Sequence, residues 1–260
     1  MTRYLVANWK MQLTAAESKT LAAEIVRLWA GQAAGRTDVA VVLCPSHLAL
    51  EDVAAAVKGT SVALGAQDAF WENKGAFTGE IGPAQLKEFG CEYCLVGHSE
   101  RRQHLGETDE MVRMKTAALM ASGIAPIVCV GETKEERQAG KRDAVVIAQV
   151  RAAFADVAAP VGNQRVVVAY EPRWVIGSGQ AVAPDDAAGS HALIRETLIE
   201  LWSRDVVDRQ CAVIYGGAVD PGNLAGFLAV DLIQGALVGG ASLKAPGFVR
   251  LAELTADAAR

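Results

Sequence analysis

The 260-residue chain predicts an α/β fold, a single (β/α)8 barrel of eight parallel strands spanning residues 1–260. Eight short apolar runs recur along it, each too short and too uniformly apolar for an amphipathic helix. Such runs read as strands buried on both faces, the mark of a parallel sheet. Helix-like stretches alternate with them at about 33 residues per unit, the size of a βαβ module. No Pro/Ser-rich linker or low-complexity segment interrupts the alternation, which favours one domain. A doubly wound open sheet would also alternate. However, no Gly-x-Gly-x-x-Gly follows the first run, and eight similar units fit a closed barrel better.

The first run is Tyr4-Leu5-Val6-Ala7. Thr14-Ala15-Ala16-Glu17 follows as a capping box, and Leu21, Ile25 and Leu28 continue at helical spacing. Val39–Leu43 and Val62–Leu64 are the second and third runs, and Tyr93–Val96 is the fourth. A helical stretch containing Ala117, Leu119 and Met120 is closed by Gly123 and leads into the fifth run, Ile124–Val130. Val166–Tyr170 is the sixth. Pro184-Asp185 starts a helix whose apolar stripe is Leu193, Ile194, Leu198 and Leu201. Pro221 opens a short helix between the last two runs, Ala212–Tyr215 and Ala236–Val238.

Composition excludes several classes. There are 25 Lys and Arg against 30 Asp and Glu, so the net charge is −5. Mild acidity without a basic patch argues against a nucleic-acid partner. No segment approaches the roughly 18–20 apolar residues that span a bilayer, and the opening run is too short for a secretory leader. A soluble, cytoplasmic protein with no membrane partner is expected. Five cysteines, four of them beside apolar runs, read as reduced core residues. Cys91-Glu92-Tyr93-Cys94 has redox spacing but lacks a second pair for zinc and opens a strand rather than a helix. Four histidines without ligand spacing predict no metal site.

In such a barrel the chemistry sits just past the C-terminal ends of the strands. Asn8-Trp9-Lys10 follows the first run, Gly97-His98-Ser99-Glu100-Arg101-Arg102 the fourth, and Gly131-Glu132 the fifth. Glu171-Pro172-Arg173-Trp174 and then Gly177-Ser178-Gly179 follow the sixth, Gly216-Gly217-Ala218 the seventh, and Gly239-Gly240-Ala241-Ser242 the eighth. Taken singly, Lys10 reads as a solvated charge, His98 as a satisfied half-buried imidazole, Glu171 as half of a structural ion pair, and the glycines as loop punctuation. Together they place a cation, an imidazole and a carboxylate on one rim with three Gly-rich turns. Gly239-Gly240 before a helix start offers backbone N–H groups to an anion.

These segments also resemble a known family. Asn8-Trp9-Lys10-Met11, Gly75-Ala76-Phe77-Thr78-Gly79-Glu80, Gly97–Arg102, Cys129-Val130-Gly131-Glu132, Tyr170-Glu171-Pro172, Ile176-Gly177, Tyr215-Gly216-Gly217 and Val238-Gly239-Gly240-Ala241-Ser242-Leu243 stand in the order of the triosephosphate isomerases. The resemblance runs from the first strand to the last helix. It implies interconversion of dihydroxyacetone phosphate and glyceraldehyde 3-phosphate, a step of glycolysis and gluconeogenesis, with no cofactor. Glu171 is implied as the base, neutral His98 as the electrophile, and Lys10 with Asn8 as the stabilisers of an enediolate. Amides of Gly177, Ala218, Gly239 and Gly240 are implied to hold the phosphate, Glu100 to support Lys10, Cys129 to pack behind the site, and Pro172–Gln180 to form a lid. Thr78 is implied to enter a partner subunit, making a homodimer.

Departures from the family pattern are Gln12 and Asp68 in place of Asn, Arg173 at an apolar hinge position, Gln180-Ala181-Val182 at the rear hinge, Ala218 in place of Ser, and Gln234 in place of Asp. They predict retained phosphate binding with an altered lid equilibrium. Competing readings are an isomerase of a longer sugar phosphate, a Schiff-base aldolase using Lys10, and an inactive scaffold on the same fold.

Overall fold

Eight parallel strands close on themselves in sequence order, β1 pairing with both β2 and β8. They are β1 (Arg3–Asn8), β2 (Val39–Cys44), β3 (Val62–Ala66), β4 (Tyr93–Val96), β5 (Ala125–Val130), β6 (Val166–Tyr170), β7 (Cys211–Tyr215) and β8 (Gly235–Val238). The computed structural model describes residues 2–32, 38–176 and 181–259. Among these, the helices are α1 (Ala15–Ala30), α2 (Leu50–Val57), α3 (Pro83–Glu88), α4 (Ser99–His104), α5 (Asp109–Ala121), α6 (Lys134–Gln138), α7 (Arg142–Ala153), α8 (Pro184–Leu201), α9 (Arg204–Gln210), α10 (Leu224–Leu228) and α11 (Ala245–Asp257). No described helix is long and apolar enough to cross a membrane.

Every predicted strand is present, with ends shifted by at most two residues. The capping box at Thr14 is formed, its hydroxyl accepting from Glu17 N–H while the Glu17 carboxylate accepts from Thr14 N–H. The short helix predicted at Pro221 begins later, at Leu224. Asp220 Oδ1 takes the N–H groups of Gly222 and Asn223, so Pro221–Asn223 is spent on a turn.

Strand alternation sorts the core into two shells. Tyr4, Val6, Val42, Cys44, Leu95, Ile127, Cys129, Val167, Ala169, Ala212, Ile214 and Leu237 fill the barrel interior as one cluster. Their neighbours, such as Leu5, Ala7, Val128, Val168 and Val213, pack outward against the helices in another. Successive side chains point to opposite faces of a strand, and here both faces are dry. That is why the strands are legible as unbroken apolar runs. The five cysteines are all buried and unpaired. Burial pushes the Cys91 thiol up to about 12, and Cys94 also lies well above the ordinary thiol range, so the Cys91–Cys94 pair is placed as core packing.

One helix carries a pH dependence. His191 of α8 is fully buried, its Nδ1 within 2.8 Å of the Ala187 carbonyl and its ring edge-on to Tyr170. Desolvation lowers its pKa from 6.5 to about 4. Between those values the unfolded chain binds a proton that the native chain refuses, so stability falls as pH drops through this window. The linkage is worth about 2–3 kcal/mol at pH 4.5. Urea unfolding of His191→Gln at pH 7 and pH 4.5 is expected to show that much less loss on acidification than wild type.

Candidate active site

The same alternation aims the rim residues. In β1, Tyr4 and Val6 point inward, and Asn8 is the next inward position, at the C-terminal mouth. In β6, Val167 and Ala169 point inward, and Glu171 is next. The ladder continues through it, since Glu171 N–H donates to Val130 C=O at 2.7 Å and Gly216 N–H to Tyr170 C=O at 2.8 Å. Gly131, Gly216 and Gly239 hold the corresponding positions after β5, β7 and β8. Side chains there would meet the site: a Cβ on Gly216 would lie 2.7 Å from Glu171 Cγ, and one on Gly239 3.5 Å from Lys10 Cε. The mouth layer therefore holds the side chains of Asn8 and Glu171 beside three positions left without one.

His98 caps the first turn of α4. Its Nδ1 accepts from Glu100 N–H at 3.2 Å, which leaves the proton of the neutral ring on Nε2. Nε2 lies 3.1 Å from Glu171 Oε1, and Ser99 N–H donates to Glu171 Oε2 at 2.9 Å. The carboxylate is only 2 % exposed, with a donor on each oxygen.

Lys10 has φ +52°, a left-handed backbone that a lysine adopts only when held. Its N–H donates to Asn8 Oδ1 at 3.0 Å, and its C=O accepts from Gln67 Nε2 at 2.9 Å. The side chain reaches Glu100, with Nζ 2.5 Å from Oε1. Lys10, Glu100, His98 and Glu171 thus form a continuous polar chain from β1 to β6. Cys129 lies beneath it, its thiol raised by burial and then by the neighbouring Glu171 carboxylate.

Opposite this chain are the turns after β7 and β8. Together they enclose a pocket of about 330 Å³, lined by Asn8, Lys10, His98 and Glu171 on one side and by Gly216, Gly217, Ala218, Gly239 and Gly240 on the other. Ser242 Oγ donates to Gly239 C=O at 2.6 Å and pins that turn. Ile176 reaches the pocket edge from beyond Glu171. Gly177 and the rest of 177–180, hence the centre of the expected lid, lie outside the described residues. On either side of them, Trp174 Nε1 donates to Glu132 at 3.1 Å and Val182 N–H donates to the Tyr215 hydroxyl at 3.2 Å. Thr78 lies away from the pocket, on the exposed stretch between β3 and α3.

Asn8, Lys10, His98, Glu100, Glu171, Ala218, Gly239 and Gly240 are thus brought together. Gln67, the Ser99 amide and Asn223 also belong to the site or hold it, and they were not singled out from the sequence. Gln67 directly follows the third strand, the one polar signal that pointed to it.

Comparison with known proteins agrees in extent with this architecture. The family described as Triosephosphate isomerase matches residues 3–255. A triosephosphate isomerase of Roseiflexus sp. (strain RS-1) is 46% identical over 253 residues, covering 96% of both chains. One from Caldanaerobacter subterraneus subsp. tengcongensis is 44% identical over 252 residues, 96% of this chain and 99% of the relative. Among solved structures, the triosephosphate isomerase of Bartonella henselae superposes with a TM-score of 0.86 at 31% identity, over 98% of this chain and 99% of that one.

Proposed function

This chain belongs to the triosephosphate isomerase family, and we propose that its rim interconverts dihydroxyacetone phosphate and D-glyceraldehyde 3-phosphate by proton transfer through an enediolate. The observation that carries this reading is the Glu171 carboxylate, almost dry, 3.1 Å from a His98 Nε2 that bears a proton, on the wall of a pocket that Lys10 also lines.

The geometry supports a division of labour. Glu171 accepts from both the His98 Nε2–H and the Ser99 N–H. Substrate entering with its carbonyl oxygen at Nε2 displaces one oxygen of the carboxylate and frees it to face the adjacent carbon. Glu171 takes the proton from that carbon, electron density moves onto the carbonyl oxygen, and the Nε2–H and the Lys10 ammonium stabilise it there. Asn8 holds Lys10 in its left-handed turn. His98 Nε2 relays the hydroxyl proton of that carbon to the former carbonyl oxygen, and return of the abstracted proton to the former carbonyl carbon completes the isomerisation without a cofactor. The phosphate goes to the Gly-rich wall, where backbone N–H groups of Ala218, Gly239 and Gly240 hydrogen-bond it. Grip on this remote group supplies binding energy for desolvating the reacting end.

A coupled assay for glyceraldehyde 3-phosphate formation tests the reading. Wild type is expected to turn over, and Lys10→Met to lose about 10²–10³-fold in kcat, the scale for removing one preorganised donor to a developing oxyanion. A Lys10→Met enzyme as fast as wild type refutes the assignment.

We also assign the chain to glycolysis and gluconeogenesis in the cytoplasm, as a homodimer. Met11, Leu48 and Phe77 are large, apolar and exposed on the segments after β1, β2 and β3, which are adjacent strands. Thr78 lies beside Phe77. Sedimentation at micromolar concentration is expected to give twice the chain mass, and Thr78→Arg to give monomers with reduced kcat.

A further inference from the structure

Behind His98 lies a second set of charges with no part in the proton transfer. Lys115 of α5 is only 2 % exposed, and its Nζ lies 2.8 Å from Asp68 Oδ1 and 3.1 Å from Glu107 Oε2. Arg101 of α4 places one nitrogen 2.9 Å from Asp68 Oδ2 and donates through Nε to Glu107. Two cations and two anions therefore share one site, and their formal charges cancel.

Both ends of this quartet connect to the rim. Asp68 directly follows Gln67, whose side chain holds the carbonyls of Lys10 and Cys44. Glu107 Oε1 accepts from Gly97 N–H at 2.9 Å, and Gly97, with φ +71°, immediately precedes His98. Arg101 directly follows Glu100, the partner of Lys10 Nζ. The quartet is thus wedged between the strand exit that supports Lys10 and the turn that carries His98.

We propose that Asp68 and Lys115 are positioning residues of the isomerase site, their charge-balanced quartet with Arg101 and Glu107 fixing His98 and Lys10 relative to one another. The proposal rests on the isomerase reading above. Its physical basis is that an uncompensated charge in a dry site does not stay in place. The family pattern has Asn at position 68, so the carboxylate is this chain's own contribution to the balance; without it, Lys115 and Arg101 here compete for Glu107 and draw it from Gly97 N–H, and the His98 turn follows. A misplacement of about 1 Å costs on the order of 10²-fold in rate, so a shift of half that costs about tenfold. The phosphate wall lies on β7 and β8, across the mouth, so KM is left nearly untouched.

The test measures kcat and KM for glyceraldehyde 3-phosphate in Asp68→Asn, Lys115→Met and the double variant, each as a folded protein with wild-type sedimentation. Each single change is expected to lower kcat about tenfold with KM within about twofold of wild type. In the double variant Arg101 and Glu107 remain as a neutral pair, and kcat is expected to rise at least about fivefold above that of Lys115→Met. A folded Asp68→Asn enzyme with wild-type kcat overturns the proposal, even if its melting temperature falls. So does a double variant no faster than Lys115→Met. If Lys115→Met does not fold, the kcat/KM split of Asp68→Asn decides alone. The His98 Nε2–H proton resonance, assigned by its loss in His98→Asn, separates the two readings. It shifts in Asp68→Asn if the quartet positions His98, whether or not wild type turns over triose phosphate, and an unmoved resonance sinks the quartet.

Discussion

Glu171→Gln is expected to lower kcat by about 10³–10⁴-fold in either direction of the reaction, the upper range for a positioned general base. KM for the triose phosphates is expected to change little, because the Gly-rich wall proposed to hold the phosphate is untouched. The substitution keeps the shape of the side chain and removes its basicity. It also unbalances the resting site: the carboxylate accepts from His98 Nε2–H and from Ser99 N–H, whereas a carboxamide has a single acceptor oxygen. One of those donors loses its partner in a nearly dry position, so a stability loss of about 1–3 kcal/mol accompanies the kinetic one. Steady-state kinetics with both triose phosphates and thermal unfolding check the two effects. A variant within tenfold of wild-type kcat removes Glu171 from the role of base.

Gly131→Ala is the second large effect, and it acts through backbone. A Cβ at this position would sit 1.9 Å from the Glu171 carbonyl oxygen and 2.5 Å from its carbonyl carbon. Gly131 has no room to retreat, because its N–H donates to Gln149 Oε1 at 2.7 Å and its carbonyl accepts from the same side chain. The added methyl therefore displaces the strand segment that carries Glu171, the proposed base. About 3 kcal/mol of stability is expected to be lost, the upper end of overpacking costs. The kcat is expected to fall by about 10²-fold, the cost of misplacing a reacting group by about an ångström. Gly189→Ala, in the interior of α8 with only an Arg142 nitrogen at 3.9 Å from its Cβ, is the matched control and is expected to gain about 0.5–1 kcal/mol. Denaturant unfolding of both variants distinguishes a local clash from a general intolerance of alanine.

Burial explains which parts of the molecule were legible in the sequence. The strands were readable because each is dry on both faces, as in Val166–Tyr170 and Cys211–Tyr215, where every residue is buried. Strand ends were less so: Gly235 opens β8 and Gly65-Ala66 closes β3, and small residues of this kind do not signal a strand. Short helices such as α6 and α9 carry too few apolar residues to show a stripe. At the rim, Lys10, His98 and Glu171 stood out because each breaks an apolar run at its C-terminal end. Their supports did not. Asp68 meets Lys115 from 47 positions away, and Ser99 acts on Glu171 through a backbone N–H that every non-proline residue possesses. Contacts of that kind are set by closure of the barrel, and no local pattern encodes them.

The bare positions at 131, 216 and 239 have a consequence for what the enzyme admits. Its reaction chamber is carved by omission: atoms missing from strand exits leave a hollow that rigid hydrogen-bonded backbone surrounds. One methyl group suffices to shrink such a hollow, whereas enlarging it requires moving whole strands. Among the described residues, the width of this hollow is therefore written into the framework itself and not into side chains that could swing aside.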